Sequence, residues 1–395
     1  MKQCIEYCFA SRHLERRHHG PTWRTALILL MCSLLCNSLN AKELVIGQVA
    51  PFSADPQRTA LQLKSGADLH FEAVNKSGGV NGNTLRLVTR ERDNSPQSAV
   101  QVTRALIADL KPVALLCLMG TAPMQALVKE NVLSEAGIPV VGIRTGATSL
   151  HRPVHPYLFH TRADYGAEAH KAVTYLSTVG YRRFAIFAEH SAFGDEGSSH
   201  FVAALRERSL APVARGTYET DSTDVSGAIR QIQAGQPDAI VAVGSSNAVA
   251  DFYKGYLALN KGVPVIALST VDAGSVVKRV GAEAAHGLWI AQVVPDPRNR
   301  QAGIVREFQD IGKRLRGPGF EPTQAELEGY IAARVLVEAI KRSGTDPTPT
   351  RIRAELESMR QLDLGGLVIG FSKQDHSGSG FVDVGIIGRD GRVLH

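Results

Sequence analysis

Cysteine is scarce in this sequence, and its distribution argues against a disulfide-stabilised fold for most of the chain. Only five cysteines occur in 395 residues, and four of them lie within the first 36. Cys117 stands apart from these, inside the apolar run "PVALLCL". In such a strand cysteine usually behaves as a small buried hydrophobe, so a nucleophilic role for Cys117 is disfavoured.

Signatures of common enzymes are also lacking. There is no GxxxxGK[ST] loop, no GxGxxG after the first apolar strand, no HExxH and no GxSxG. His151, His155 and His160 cluster in "HRPVHPYLFH", but the prolines there break any helix that would set the spacing of metal ligands. We therefore predict a non-enzymatic protein without a metal or cofactor, and an exposed connecting loop at these histidines.

Positive charge is too limited to indicate a nucleic-acid partner. The formal net charge is +6. Half of it lies in residues 1–41, where Lys2 and four arginines face only Glu6 and Glu15. No stripe of aromatic and basic residues follows, so we expect no nucleic-acid binding.

The N-terminus has the pattern of a secretory signal. Arg16, Arg17 and Arg24 precede the apolar stretch "ALILLMCSLLC", which is too short to span a bilayer. "SLNA" then offers a small residue, Ala41, at which cleavage could occur. This pattern predicts a signal peptide over residues 1–41 and a periplasmic mature protein. An uncleaved membrane anchor is the alternative.

From Glu43 onward, short apolar runs alternate with helical patterns in βαβα order. In "RTALQLKSGADLHFEAVNKSGG", for example, Leu63, Ala67 and Phe71 fall at helical spacing on one face. A similar alternation resumes after "HRPVHPYLFHTRADYG". This order predicts two α/β units with parallel sheets covered by helices. Because ligands of such sheets bind beyond the carboxyl ends of the strands, we expect the site in the cleft between the units.

Two turns in the first unit predict a site for an anion. In "LMGTAPMQAL" a strand ends at Gly120, Thr121 follows, and Pro123 stands where a helix would begin. "GIRTGATSL" repeats the arrangement one strand later with Thr145 and Gly146. Free N–H groups and hydroxyls at a helix start favour a carboxylate. The alternative is ordinary turn chemistry, in which the threonines cap helices.

Taken in order, these segments resemble one known family. The landmarks are "IGQVAPFS", "GADLHFEAVNKSGGVNGNTLRLV", "CLMGTAPMQAL", "EAGIPVVGIRTGAT", "FHTRADYGAE", "AIFAEHSAFGDEG", "TDVSGAIRQIQAGQPDAIVAVGSS" and "LEGYIAARVLVEAI". In this order, over nearly all of residues 43–395, the chain resembles the periplasmic leucine/isoleucine/valine-binding protein family. These proteins are the substrate-binding subunits of branched-chain amino acid-type ABC transporters.

The resemblance implies a type I periplasmic binding protein of the α/β class. Two Rossmann-like, doubly wound parallel-sheet lobes would close on a ligand. Three crossovers would join them, near residues 160–165, 290–295 and 365–372. The first lobe would comprise residues 42–163, with 293–368 returning to it, and the second residues 164–292, with 369–395 returning to it.

The resemblance also implies which residues contact the ligand. The family's carboxylate site corresponds to Thr121, Thr145 and Gly146, the residues that the turns indicate. The family's aromatic residue in "xYGxxG" corresponds to Phe193, and its acidic partner for an α-amino group corresponds to Ser269. A buried ammonium without an acidic partner is costly. Ser269 therefore favours a carboxylate that lacks an amine, or an amine that is bound differently.

Further candidates for the cleft wall are Phe52, Tyr165, Ser245 and Ser246. Tyr165 and Phe193 would enclose an apolar or aromatic part of the ligand, or else pack the lobes together. Arg144 would pair with a second carboxylate if it faces the cleft, and the alternative is that it faces solvent.

As function, the resemblance implies delivery of a small carboxylate or amino acid-like solute to ABC permease subunits in the membrane. Energy would come from a separate ATPase, in keeping with the absence of a Walker motif from this sequence. Because the same fold also serves in ligand sensing, a binding protein for a signalling receptor or regulator is the alternative.

Overall fold

The computed structural model describes residues 42–53, 58–260 and 262–395, and the expected signal peptide lies outside them. Residues Glu43–His395 cluster as one unit. Within the described residues, no helix is both long enough and apolar enough to cross a membrane.

Strands and helices alternate along most of this unit. The strands, β1 to β14 in chain order, are Glu43–Ala50, Thr84–Glu91, Ala114–Leu116, Val140–Val141, Leu158–Phe159, Phe184–His190, Ala214–Glu219, Ala239–Val243, Val265–Ala267, Trp289–Gln292, Leu362–Asp363, Val368–Ile369, Asp383–Ile387 and Val393–Leu394. The helices, α1 to α14, are Thr59–Lys76, Pro96–Leu110, Thr121–Lys129, Val132–Ala136, Thr148–His151, Tyr165–Val179, Ala192–Arg206, Ser226–Ala234, Ser246–Leu259, Ala273–Val280, Ala282–Ala285, Gly303–Arg316, Gln324–Arg342 and Pro349–Ser358.

The first sheet is parallel, with strand order β2-β1-β3-β4-β5. Helices α1 and α13 pack against each other beside it and contribute to one apolar core. Where they cross, a Cβ on Gly66 would lie 1.8 Å from Glu326 O, and one on Gly329 would lie 2.0 Å from Leu63 O. The two backbones therefore approach so closely that both positions require glycine.

The second sheet has strand order β14-β13-β10-β9-β8-β6-β7. Strands β6 to β10 are parallel, and β13 pairs antiparallel with β10 and β14. Numbered from β6, the parallel part has the order 2-1-3-4-5, which is also the order of the first sheet. Sheets of this topology bind ligands where the strand order reverses. Here that point lies beyond the ends of β1 and β3 in the first sheet and of β6 and β8 in the second.

The chain passes between the two sheets three times. It leaves the first sheet after β5 and enters the second at β6. It then leaves the second sheet after β10 to form α12, α13 and α14, whose apolar residues belong to the core of the first lobe. The last passage leads through the β11–β12 pair to β13. This architecture confirms the predicted α/β fold with two doubly wound lobes and three crossovers.

Several element bounds differ from those that the sequence pattern predicts. The run "PVALLCL" forms only the short β3, because Cys117 takes a left-handed conformation with φ of 52°. The single helix expected near residues 122–136 is divided into α3 and α4, because Asn131 has φ of 54°. Helix α6 was not among the predicted elements. Cys117 and Asn131 interrupt segments whose apolar pattern continues, so the pattern alone does not locate these two breaks.

The prediction of an exposed loop at the three histidines is wrong for two of them. His151 and His160 are buried and their rings stack with centroids 3.6 Å apart, whereas His155 is half-buried. His151 Nδ1 lies 2.9 Å from Ser377 Oγ, and His160 N donates to His376 O at 2.9 Å. Ser377, which contacts His151, lies more than 200 positions further along the chain, so local sequence cannot show this burial. No group of side chains in the described residues is arranged to hold a metal ion.

Replacing His151 with asparagine should reduce the loss of stability between pH 7 and pH 5 by about 2 kcal/mol. Burial, and then the charges of Arg162 and Arg152, lower the pKa of His151 from 6.5 to about 3. The unfolded chain therefore takes up this proton first, and stability present above pH 6.5 is lost as the pH falls towards 3.

Urea unfolding of both proteins at the two pH values measures this difference. His170→Asn is the control, because His170 is exposed. An identical pH dependence for wild type and His151→Asn would contradict the burial of a neutral imidazole.

Candidate ligand-binding site

A cavity of about 310 Å³ lies where strands of both sheets end. Its first-lobe wall includes Pro51, Arg92, Thr121, Arg144 and Thr145, and its second-lobe wall includes Glu189, Phe193, Thr220, Ser245 and Thr270. A larger cavity, of about 520 Å³, borders the ends of β9 and β10 and contains neither predicted threonine. The smaller cavity lies at the strand-order reversal of both sheets, and we therefore take it as the candidate site.

Three hydroxyl groups form a chain that runs from the first-lobe wall to Tyr165, at the start of the second lobe. Thr121 Oγ1 and Thr145 Oγ1 are 2.8 Å apart, and Thr145 Oγ1 is 3.3 Å from Tyr165 Oη. Ala147 N also donates to Thr145 Oγ1 at 3.3 Å. Burial raises the pKa of Tyr165, so its hydroxyl stays protonated as a donor. The structure thus brings both predicted threonines together, within reach of one small ligand.

The two predicted helix starts differ from each other. Helix α3 begins at Thr121 and places Pro123 third, not first. Met124 N bonds to Gly120 O, and Pro123 has no N–H. The N–H groups of Thr121 and Ala122 are then the donors left at this helix start. The second helix, α5, has only four residues, so a helix dipole is expected at the first turn but not at the second.

The second-lobe wall presents an aromatic ring and a helix cap. Phe193 lies at the start of α7, and its ring is tilted 56° to that of Tyr165 with centroids 5.5 Å apart. Both residues line the cavity, although Tyr165 is fully buried and also packs in the core. Ser245 Oγ accepts from Ala248 N at 3.3 Å, and Ser245 N donates to Tyr218 Oη at 2.9 Å. The Ser245 hydroxyl is therefore already used as the cap of α9.

Four predicted contact or wall residues do not line the cavity. Ser246 is fully buried, and its Oγ accepts from Asp272 N at 2.8 Å. Gly146 lies behind Thr145, where a Cβ would be 2.7 Å from Tyr165 Cδ1. Phe52 is half-buried, and its neighbour Pro51 reaches the wall instead. Ser269 is 3% exposed and lies beneath the wall. The expectation that Ser269 meets the ligand is corrected by this placement.

Ser269 belongs to a buried cluster of charges between the lobes. Its N and Oγ donate to the Glu168 carboxylate at 2.8 and 2.9 Å, and Arg162 contacts both Ser269 Oγ and Glu168. Arg162 also pairs with Glu328 at 3.4 Å. Burial raises the pKa of Glu168, although Arg162 and Ser269 act against that shift. Ser269 thus forms part of this ion network.

Arg144 joins the same network from the cavity side. It is 8% exposed and lines the cavity, so the alternative that it faces solvent is excluded. Its Nε lies 3.5 Å from Glu328 Oε1, and its Nη2 donates to Ser269 O at 3.3 Å. Nε and Nη1 have no hydrogen-bond partner among the described residues. Arg144 therefore links first-lobe residues to the second lobe at the edge of the site.

Sequence reasoning missed three charged residues of the cavity, the exposed Asp221 and two less exposed ones, Arg92 and Glu189. Arg92 follows β2 in "ERDNSP", a segment that has the pattern of a turn. Glu189 is the penultimate residue of β6, at the end of an apolar strand. Arg92 and Glu189 each stand beside a strand-order reversal, and a charge at that point is the signal that could have identified them.

The fold and this cavity together define a two-lobed solute-binding protein of the type I class. The chain matches the Periplasmic binding protein family over residues 43–390 and belongs to it.

Three relatives illustrate the similarity. A substrate-binding periplasmic protein from Ralstonia solanacearum is 32% identical, with a TM-score of 0.83 over 89% of this chain and 99% of its own. Leu/Ile/Val-binding protein homolog 3 from Brucella melitensis is 21% identical over 330 residues, which is 81% of this chain and 85% of the relative. A branched-chain amino acid transporter substrate-binding protein from Streptococcus pneumoniae, solved with isoleucine, is 17% identical, with a TM-score of 0.75 over 90% of this chain and 98% of its own.

These relatives are binding proteins, which confirms the family resemblance drawn from the sequence. The same finding confirms the prediction that the chain is a solute-binding protein and not an enzyme. Membership of this family implies an extracytoplasmic location.

Proposed function

We propose that this protein is the solute-binding subunit of an ABC uptake system. It binds a small carboxylate or amino acid-like solute in the cavity between its lobes and delivers it to permease subunits in the membrane. The observation that carries this proposal is the pair of threonine hydroxyls 2.8 Å apart, at the strand ends of the first lobe. Hydroxyl and N–H donors at a helix start suit a carboxylate, and the described residues place no acidic side chain on that wall.

Lobe closure gives the bound state its own shape. The first lobe, residues 42–163 and 293–368, holds the carboxylate. The second lobe, residues 164–292 and 369–395, adds contacts only when the cleft is shut. A solute therefore favours the closed state by its differential affinity, and a permease can recognise that state.

Two relatives support an amino acid-like solute. The protein from Streptococcus pneumoniae was solved with isoleucine, and a branched-chain amino acid ABC transporter protein from Thermus thermophilus was solved with valine.

Delivery in the periplasm further requires export, and we propose that residues 1–41 are removed by cleavage near Ala41. N-terminal sequencing of the exported protein tests this cleavage.

A thermal-shift screen of residues 42–395 tests the proposed function. The probes are aliphatic amino acids, aromatic acids and dicarboxylates, each compared with its neutral amide. At a concentration 100 times its Kd, a bound solute contributes about 2.7 kcal/mol to stability and raises the melting temperature. We expect at least one carboxylate to raise it and its amide to fail. No shift with any carboxylate would contradict the proposal.

A further inference from the structure

Arg92 and Glu189 face the same cavity from different lobes, and neither has a partner of opposite charge within residues 42–53, 58–260 and 262–395. No ion pair within the described residues includes either side chain. Charged groups in enclosed sites are normally paired, because unpaired charges lose their hydration without compensation. Two unpaired charges of opposite sign in one cavity therefore indicate a ligand that carries both a negative group and a cationic or donor group.

Arg92 is a buried cation of the first-lobe wall. It is 5% exposed, and among the described residues its Nη1 and Nη2 donate only to the carbonyl oxygens of Asp93 and Met119, at 2.6 and 2.7 Å. Burial lowers the pKa of Arg92 to about 10, although Asp93 and Glu91 act against that shift. The bond to Met119 O places this guanidinium beside the strand end that leads into Thr121. An anion held by the threonines therefore lies next to a buried positive charge.

Its neighbours in sequence do not neutralise Arg92 directly. The Glu91 carboxylate accepts from Ser53 N and Oγ, at 3.2 and 2.9 Å, and the Asp93 carboxylate accepts from Ser95 N at 2.7 Å. Both acids turn towards exposed loops. The positive charge at the cavity is thus left for a ligand to balance.

Glu189 is the corresponding acid of the second lobe. It is half-buried, and its oxygens accept from Tyr218 Oη at 3.1 Å and Thr220 Oγ1 at 3.4 Å. These hydroxyls orient the carboxylate but carry no charge. Burial, and then the charge of Glu189, raise the pKa of Tyr218, so this phenol remains a donor. A cationic or donor group of a ligand is the partner that Glu189 lacks.

The other charges of the site do not alter this balance. Arg144 and Arg162 face Glu168 and Glu328 in the buried cluster, which holds two charges of each sign. Asp221 also lines the cavity but is exposed, so water screens its charge. The cavity is consequently positive at Arg92 and negative at Glu189.

We propose that Arg92 and Glu189 are the charge-selective residues of this cleft. Arg92 balances the carboxylate of the solute, and Glu189, in place of residue 269, receives its amino or other donor group. This inference rests on the proposed function. It assigns recognition of the amino or donor group to the end of β6. The family resemblance places that recognition at the end of β9, which lies two strands away in the sheet.

Calorimetric titration with matched probes tests this assignment. The probes are leucine, phenylalanine and glutamate, their deaminated acids 4-methylpentanoate, 3-phenylpropionate and glutarate, and the amide of each amino acid. Wild type should bind at least one amino acid more tightly than both its deaminated acid and its amide. Arg92→Gln should weaken every bound carboxylate by roughly tenfold or more. Glu189→Gln should weaken the amino acid by about tenfold and leave its deaminated acid within about twofold.

Matched variants separate these effects from general damage. Arg90→Gln removes an exposed charge of β2, the strand that Arg92 follows, and Glu219→Gln removes one of β7, the strand paired with β6. Neither should change any affinity by more than about twofold. Arg92→Lys keeps the charge and should recover part of the affinity lost in Arg92→Gln. If Arg92→Gln does not fold, the preference of wild type for each acid over its amide still tests the need for a negative group.

The outcomes distinguish this inference from the proposed function. Carboxylate binding that neither Arg92→Gln nor Glu189→Gln alters would overturn the inference and leave the proposed function intact. Equal loss of the amino acid and the deaminated acid in Glu189→Gln would overturn the role of Glu189. Failure of every carboxylate probe to bind wild type would overturn both proposals.

Discussion

The double variant Thr121→Ala/Thr145→Ala should bind the solute roughly a hundredfold more weakly than wild type, and each single variant about tenfold. Each hydroxyl is expected to donate to one oxygen of the bound carboxylate. A hydrogen bond to a charged group contributes more than one between neutral groups. A hundredfold loss is the additive expectation, and because the two hydroxyls are 2.8 Å apart, any departure of the double variant from it measures their coupling. Calorimetry on all three variants measures both the losses and their coupling.

A buried threonine outside the site provides the control for this series. Thr103 in α2 is fully buried, and its Oγ1 has no hydrogen-bond partner among the described residues. Thr103→Ala removes the same atoms from a protein interior and should leave affinity unchanged. Wild-type affinity in the double variant would show that the hydroxyl pair does not hold the solute.

Replacing Arg162 with methionine should lower the free energy of unfolding by about 3–5 kcal/mol. Arg162 is fully buried, and its guanidinium pairs with Glu168 at 3.0 Å and with Glu328 at 3.4 Å. Methionine fills much of the same space but removes the positive charge that balances the buried carboxylates of Glu168 and Glu328. Because burial already raises the pKa of Glu168, loss of Arg162 should raise it further and make the variant recover stability in acid.

Denaturant unfolding at pH 7 and pH 5 measures this effect. Arg104→Met is the control, because Arg104 pairs with Glu135 on the surface, where such pairs contribute about 1 kcal/mol or less. A loss for Arg162→Met no larger than for Arg104→Met would contradict a stabilising role for the buried network.

The fold was predictable because its signals are local. Apolar strands, helical spacing such as that of Leu63 and Ala67, and turns at strand ends all occur within short segments. Thr121 and Thr145 were predictable for the same reason: each follows a strand end, and parallel strands bring their carboxyl ends to one edge. Turn chemistry and topology together therefore located one wall of the cavity.

The other features depend on contacts between distant parts of the chain. Ser269 points into a network with Arg162 and Glu168, more than 100 residues away, so its correspondence with a family position did not fix its direction. The burial of His151 depends on Ser377, and the pairing of Arg144 depends on Glu328. None of these partners is marked in the local sequence. Tertiary packing sets both the direction and the charge balance of these groups.

The most direct test is a crystal structure of residues 42–395 grown with a solute identified in the thermal-shift screen. We predict that its carboxylate oxygens lie within hydrogen-bond distance of Thr121 and Thr145, with the second lobe closed over them. A solute bound in the larger cavity near β9 and β10, with neither threonine hydroxyl in contact with it, would contradict the account.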